Sequence, residues 1–313
     1  MSEVVVVDAA AVEAAVPPER AVEAVRDAFV AHARGEWTMP PKVYVTNYPA
    51  GDFRAMPALG GGHALLKWIT SFPGNPARGL PTVTGIVLVS DASTGELRAV
   101  LDAASVTALR TGAAAVLAAE VLGPQDARTA AVVGAGVNGR AVARTFLARG
   151  TDVALWDVDA ARAEQAATEL GCDVAESREQ ALAADVVATV TPGHEIVLAE
   201  GSLRPGQHVS LMGADASGKA EASALELRRG RLFCDDWEQA SHGGEIAHAV
   251  VEGIVTRDDV VELGRVLTGE HPGRQSETEI TLFDSTGLAI QDLAIALAAL
   301  ESADLDAFPR LAL

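Results

Sequence analysis

Read as apolar and polar positions, the chain opens with VVVVD at residues 4–8, an apolar run suited to a buried strand. In PPERAVEAVRDAFVAHARG the apolar residues recur at helical spacing, Pro18 is tolerated in the first turn and Gly35 can end the helix. Residues 42–48 and 63–70 read as strands, and GIVLVSDASTGELRAVLD reads as two more, with turn chemistry at Ser93 to Gly95 between them. ASVTALRTGAAAVLAAEVLG then predicts a long alanine-rich helix stopped near Gly123 and Pro124. Together these elements predict a mixed sheet with helices.

From Arg128 the rhythm changes. ARTAAVVGAGVNGRAVARTFLARGTDVALWDVD reads strand, glycine turn, helix, strand, and further strands are expected near 185–190, 207–211, 231–234 and 280–284. Their alternation with helical segments predicts a parallel α/β sheet. The last helix, in GLAIQDLAIALAALESAD, can return to the first domain and bind the halves together.

Length and composition narrow the class. At 313 residues the chain can bury one large core or two cores separated by a cleft, and 49% hydrophobic content argues against disorder. The amino terminus lacks the basic region and apolar run of a signal peptide, and no segment has 18 uninterrupted apolar residues, so a soluble cytoplasmic protein is expected. Cys172 and Cys234 are too few and too far apart for a disulfide framework or a zinc pattern; each falls in or near an expected buried strand, which favours core packing. Forty-three acidic against 24 basic residues give a formal charge of −19 that repels phosphate backbones and anionic membranes, so neither nucleic acid nor a membrane is an expected partner. The basic set holds 21 arginines and only three lysines, Lys42, Lys67 and Lys219. Dispersed acid with scarce lysine fits a salt-rich cytoplasm, where screening relieves self-repulsion; the alternative is an acidic protein of an arginine-favouring organism.

The strongest local motif is AAVVGAGVNGRAVA. Gly134 would make a tight turn, Gly136 would let a pyrophosphate approach the backbone, and Gly139 would let helix and strand pack closely. A lone match is weak, because small residues also serve strand-to-helix turns for packing alone. Here strand, glycine turn, helix and second strand come in the required order, and Asp157 lies 23 residues beyond Gly134 at the end of that second strand. Gly134, Gly136, Val137, Asn138, Gly139 and Asp157 are therefore the expected cofactor contacts. A carboxylate at Asp157 can accept from a ribose diol and would repel a 2′-phosphate; Arg162 lies nearby but not immediately after the acid, so NAD is expected over NADP.

Lys42, Arg54, Lys67 and Arg110 are cations of the first domain that together could bind a small carboxylate, although any arginine alone is more readily read as a surface group or a carboxylate's partner. Other groups carry less. His242 in HGGE could aid the cofactor or substrate pocket but reads more readily as a solvated loop histidine, no HExxH or histidine cluster supports a metal, and Trp68, Phe72 and Trp156 read as packing anchors. Asp284 could close the cleft or cap a turn, and Asp292 could line the cleft; neither is read as catalytic.

Several passages resemble the ornithine cyclodeaminase and mu-crystallin family, and within it the archaeal type of alanine dehydrogenase: MPPKVY at 39–44, GDFRAMPA at 51–58, LKWITSFPGNPARGLPTV at 66–83, TALRTGAAA at 107–115, MGADASGKAE at 212–221, DDWEQASHGGEI at 235–246 and EITLFDSTGLAIQDLA at 279–294. The resemblance implies a Rossmann-type NAD-binding domain at 125–285 and a discontinuous mixed α/β substrate-binding and dimerisation domain at 1–124 and 286–313. By the same likeness Lys42 and Arg54 bind the carboxylate of alanine or pyruvate, Arg110 is another carboxylate contact, Lys67 transfers a proton or orients the imine, and Asp215 stands beside the reacting amine or water. Position alone leaves Asp215 open as a turn cap. The implied activity is NAD-dependent interconversion of alanine with pyruvate and ammonium in a homodimer. The rivals are an ornithine cyclodeaminase, which usually carries arginine where Lys42 stands, a ketimine reductase and a nonenzymatic NAD(P)H-binding protein.

Overall fold

A computed structural model describes residues 3–216 and 218–312. The strands, in chain order, are β1 (Glu3–Val7), β2 (Val43–Asn47), β3 (Gly51–Gly60), β4 (His63–Ser71), β5 (Val83–Asp91), β6 (Leu97–Asp102), β7 (Thr129–Val133), β8 (Asp152–Trp156), β9 (Asp173–Val174), β10 (Val186–Thr189), β11 (His208–Leu211), β12 (Arg231–Cys234), β13 (Val260–Glu262), β14 (Thr281–Asp284) and β15 (Arg310–Ala312). The chain divides into two compact units, Met1–Arg110 with Leu288–Leu313, and Thr111–Gly287.

The first unit holds a seven-stranded mixed sheet in the order β15-β1-β6-β5-β4-β3-β2, antiparallel throughout except for the parallel pair β1 and β6. Directly opposed residues of an antiparallel pair share a face. One face of the sheet therefore carries Asp52, Arg54, Met56 and Ala58 of β3 beside Leu65, Lys67 and Ile69 of β4, all buried. The helix Ala289–Ser302 packs on β3, β4 and the helix Pro18–Ala33. The opposite face is apolar and open: Val43, Val45, Leu66, Trp68 and Ile86 are each more than a third exposed. Trp68 is thus a surface group stacked on Phe53, with ring centroids 5.8 Å apart, rather than a buried anchor; Phe72 meets Phe53 edge-on.

The second unit is an eight-stranded sheet, parallel at every pairing, in the order β13-β12-β14-β11-β10-β7-β8-β9. The order reverses at β7, which pairs with β8 on one edge and β10 on the other, the switch point at which open α/β sheets bind ligands. Trp156 packs against the core of this sheet. Cys234 is fully buried in β12, whereas Cys172 is only half-buried and precedes β9, both of whose residues are exposed, so core packing explains one cysteine and not the other. The helix Ala103–Leu122 has the length of a membrane span, but its most apolar window, of mean hydropathy 1.3, is 83% buried within the fold. An all-round apolar helix covered in this way is a core helix.

Candidate active site

The glycine motif occupies the turn between β7 and the helix Val137–Ala148. Gly134 has φ +111°, a conformation side chains rarely adopt, and its N–H donates to the Trp156 carbonyl at 2.8 Å. A Cβ on Gly139 would collide with the Gly134 carbonyl oxygen, so this position lets the helix lie against the turn. Gly136 differs: a Cβ there would meet nothing within 4 Å, and its backbone is in an extended conformation open to any residue. It caps the helix without a side-chain hydrogen bond, which leaves first-turn amides for an anion. The adjoining Val137 is 72% exposed and Asn138 partly exposed. Asp157 is buried at the end of β8; its Oδ2 accepts from Ala135 N at 2.8 Å and its Oδ1 from Asp159 N at 2.9 Å. That arrangement pins the acid beside the glycine turn, and a carboxylate retains lone pairs for ribose hydroxyls. Arg162 reaches Asp157 at 3.4 Å from a half-exposed position. These residues fit a dinucleotide.

In the first unit the fold collects cations. Lys67, in the middle of β4, is 1% exposed, and its Nζ lies 2.7 Å from Asp292 Oδ2 and donates to Thr107 Oγ1 at 3.3 Å. Arg110 Nε is 3.6 Å from Asp292 Oδ1. Burial pulls the Lys67 amine down to about 8; Asp292 opposes this, while the charges of Arg110 and Lys42 assist it. Lys42 therefore stands within electrostatic reach of Lys67. Arg54, also buried, shares the sheet face with Lys67 and forms a two-point pair with Asp52, Nε to Oδ1 at 2.6 Å and Nη2 to Oδ2 at 3.3 Å. Its guanidinium lies 5.3 Å from the centre of the Tyr44 ring. Asp52 and Asp292 are the partners that sequence reading missed. The one signal was Asp292 itself, an acid in the largely apolar first half of a helix, which calls for a compensating partner.

Asp215, in the turn after β11, pairs with Lys219 at 2.7 Å and is part-buried. His242 is exposed, as expected, yet lies in the last turn of the helix Trp237–Gly243 rather than in a loop, with Nδ1 2.7 Å from the Glu238 carbonyl. Asp284 Oδ2 accepts from Ile246 N at 3.0 Å and so caps a turn. Sequence reading also missed a buried acid ladder. Glu221 accepts from Thr189 Oγ1 at 2.6 Å, Thr191 N at 2.7 Å and Gly213 N at 2.8 Å, tying together the turns after β10 and β11. Glu245 accepts from the amides of Glu221 and Ala222. Burial pushes both carboxyls up, Glu245 well up, with the Glu221 charge adding to the shift.

A mixed α/β unit interrupted by a parallel dinucleotide-type sheet defines a two-unit α/β protein with a nucleotide turn. Residues 2–305 match the ornithine cyclodeaminase/mu-crystallin family, and the chain belongs to it. It is similar to the alanine dehydrogenase of Archaeoglobus fulgidus, 39% identical over 301 residues that cover 93% of this chain and 92% of that protein. An ornithine cyclodeaminase of Agrobacterium fabrum is 34% identical over 252 residues, covering 77% and 70%. Among solved structures, an archaeal alanine dehydrogenase dimer with bound NAD superposes with a TM-score of 0.94 at 37% identity, covering 99% of each chain.

Proposed function

We propose that this protein is an NAD-dependent L-alanine dehydrogenase that interconverts alanine with pyruvate and ammonium. The observation that carries the reading is the buried Lys67 amine, brought to about 8 on a sheet face shared with Arg54 and flanked by Arg110. The likeness to the Archaeoglobus enzyme along 93% of this chain supports the choice of substrate. Gly134, Gly136, Val137, Asn138, Gly139 and Asp157 would hold NAD, which supplies a hydride acceptor for the alanine α-carbon.

The chain's own residues do the remaining work. Lys42, Arg54 and Arg110 bind the substrate carboxylate, which fixes the orientation of the α-carbon. An ordinary lysine is almost wholly protonated at pH 7; one at about 8 is about 9% neutral, so Lys67 can accept the proton that alanine's ammonium must lose. Asp215 orients the water that attacks the imine carbon. We further propose a cytoplasmic homodimer that covers the open apolar face around Trp68; a face of this kind on a monomer would be an association liability.

The test incubates purified protein with pyruvate, ammonium and NADH in high salt and identifies the product, with ornithine and NAD in parallel. L-Alanine is the expected product. Proline from ornithine without net NADH, and no alanine, would overturn the reading in favour of a cyclodeaminase.

A further inference from the structure

We propose that Asp292 is a positioning residue for this reaction: its carboxylate, on the helix Ala289–Ser302, holds the Lys67 amine and Arg110 together in one buried cluster. The inference rests on the reading of Lys67 as the base. Both partners of the 2.7 Å pair are essentially inaccessible to water, so neither can exchange its partner for solvent without moving the helix or the strand. Asp292 lies in the first turn of its helix.

The charges facing Lys67 come from three places. The helix gives Asp292, the helix Ala103–Leu122 gives Arg110 and the hydroxyl of Thr107, and the segment before β2 gives Lys42. On the neighbouring strands, Arg54 is matched by Asp52, and β5 presents only Val87 opposite Lys67. Asp292 offsets the repulsion that Arg110 and Lys42 exert on a protonated Lys67.

The chain has three lysines, so ε-13C-lysine labelling gives three signals to follow by NMR against pH. In the unaltered protein one signal should titrate near 8. In Asp292→Asn that midpoint should fall by about 1 unit or more, because an attractive charge has been removed. Asp292→Glu, which keeps the charge, should return it toward the original value. Alanine turnover should fall in Asp292→Asn and recover in part in Asp292→Glu, with NADH affinity unchanged in both. A midpoint unmoved by Asp292→Asn, or three wild-type lysines all titrating as free lysines do, overturns the proposal. If Asp292→Asn does not fold, a displaced midpoint in Asp292→Glu that tracks lost turnover supports it, and an unmoved midpoint with lost turnover refutes it. Because the titration needs no substrate, a protein that made no alanine would sink the assigned activity and leave this outcome readable.

Discussion

Gly136 and Gly139 stand three residues apart in one motif, yet the structure gives them separable roles, and alanine at each position should expose the difference. At Gly136 an added methyl meets nothing within 4 Å and the backbone already has φ −72° and ψ −171°, so the fold has room for it. Alanine is a poorer helix cap than glycine but narrows the unfolded ensemble, and these opposed contributions leave folding stability within about 1 kcal/mol of the original. The empty space is the seat assigned to the pyrophosphate. A methyl there should cost binding about 1–3 kcal/mol, or about 5- to 150-fold in the dissociation constant of NADH. At Gly139 the methyl strikes the Gly134 carbonyl oxygen, which belongs to the backbone and cannot swing away. An overpacking cost of about 1–3 kcal/mol should lower the melting temperature by about 2–12 °C. The assays are NADH fluorescence titration and thermal melting. Gly136→Ala binding NADH as tightly as the parent would refute the placement of the phosphates, and Gly139→Ala melting with the parent would refute the packing argument.

Lys67→Ala should reduce alanine turnover by about 100-fold or more while NADH affinity stays within about twofold; near-normal turnover would remove Lys67 from the chemistry. Arg54→Ala should raise the KM for pyruvate by about 10- to 100-fold, from the loss of charged hydrogen bonds, and steady-state kinetics with an unchanged KM would contradict that role. Asp157→Asn should weaken NADH and narrow its preference over NADPH, since the charge that repels a 2′-phosphate is gone; an unchanged preference in paired titrations would count against Asp157. Burial and the Arg274 charge depress the fully buried His208 from 6.5 to about 3. Between these values the unfolded chain binds a proton that the folded one refuses, so this contribution is present above pH 6.5 and lost on acidification toward pH 3. Denaturant melts of His208→Gln should show a flatter decline of stability over that window; an identical decline would refute the assignment.

The nucleotide turn was legible in the sequence because its parts are local: strand, glycines, helix and Asp157 lie within one short stretch whose period and turn chemistry can be read directly. β10, β11, β12 and β14 were legible for the same reason, as short β-prone runs between turns. β3 was not, because its buried positions include Asp52 and Arg54, and a charged pair on the covered face hides the apolar alternation. β9, β13 and β15 were too short to stand out. Lys67 was visible through its scarcity, but its partner was not: nothing local tells Lys67 that its carboxylate lies on the last long helix. The ladder from Glu221 to Glu245 was hidden likewise, because a buried acid is recognisable only once its amide donors have been folded around it.

The burial of Lys67 beneath the helix that carries Asp292 has a consequence for how the enzyme comes into being. The two residues are 225 positions apart, so at about 5–20 residues per second the ribosome delivers the acid some 10–45 seconds after the amine. Until that helix covers β4, the burial that lowers the Lys67 amine is incomplete. A polypeptide released before the last helix could complete its nucleotide-type sheet and still have no base at neutral pH, so chemistry is withheld until synthesis is nearly finished.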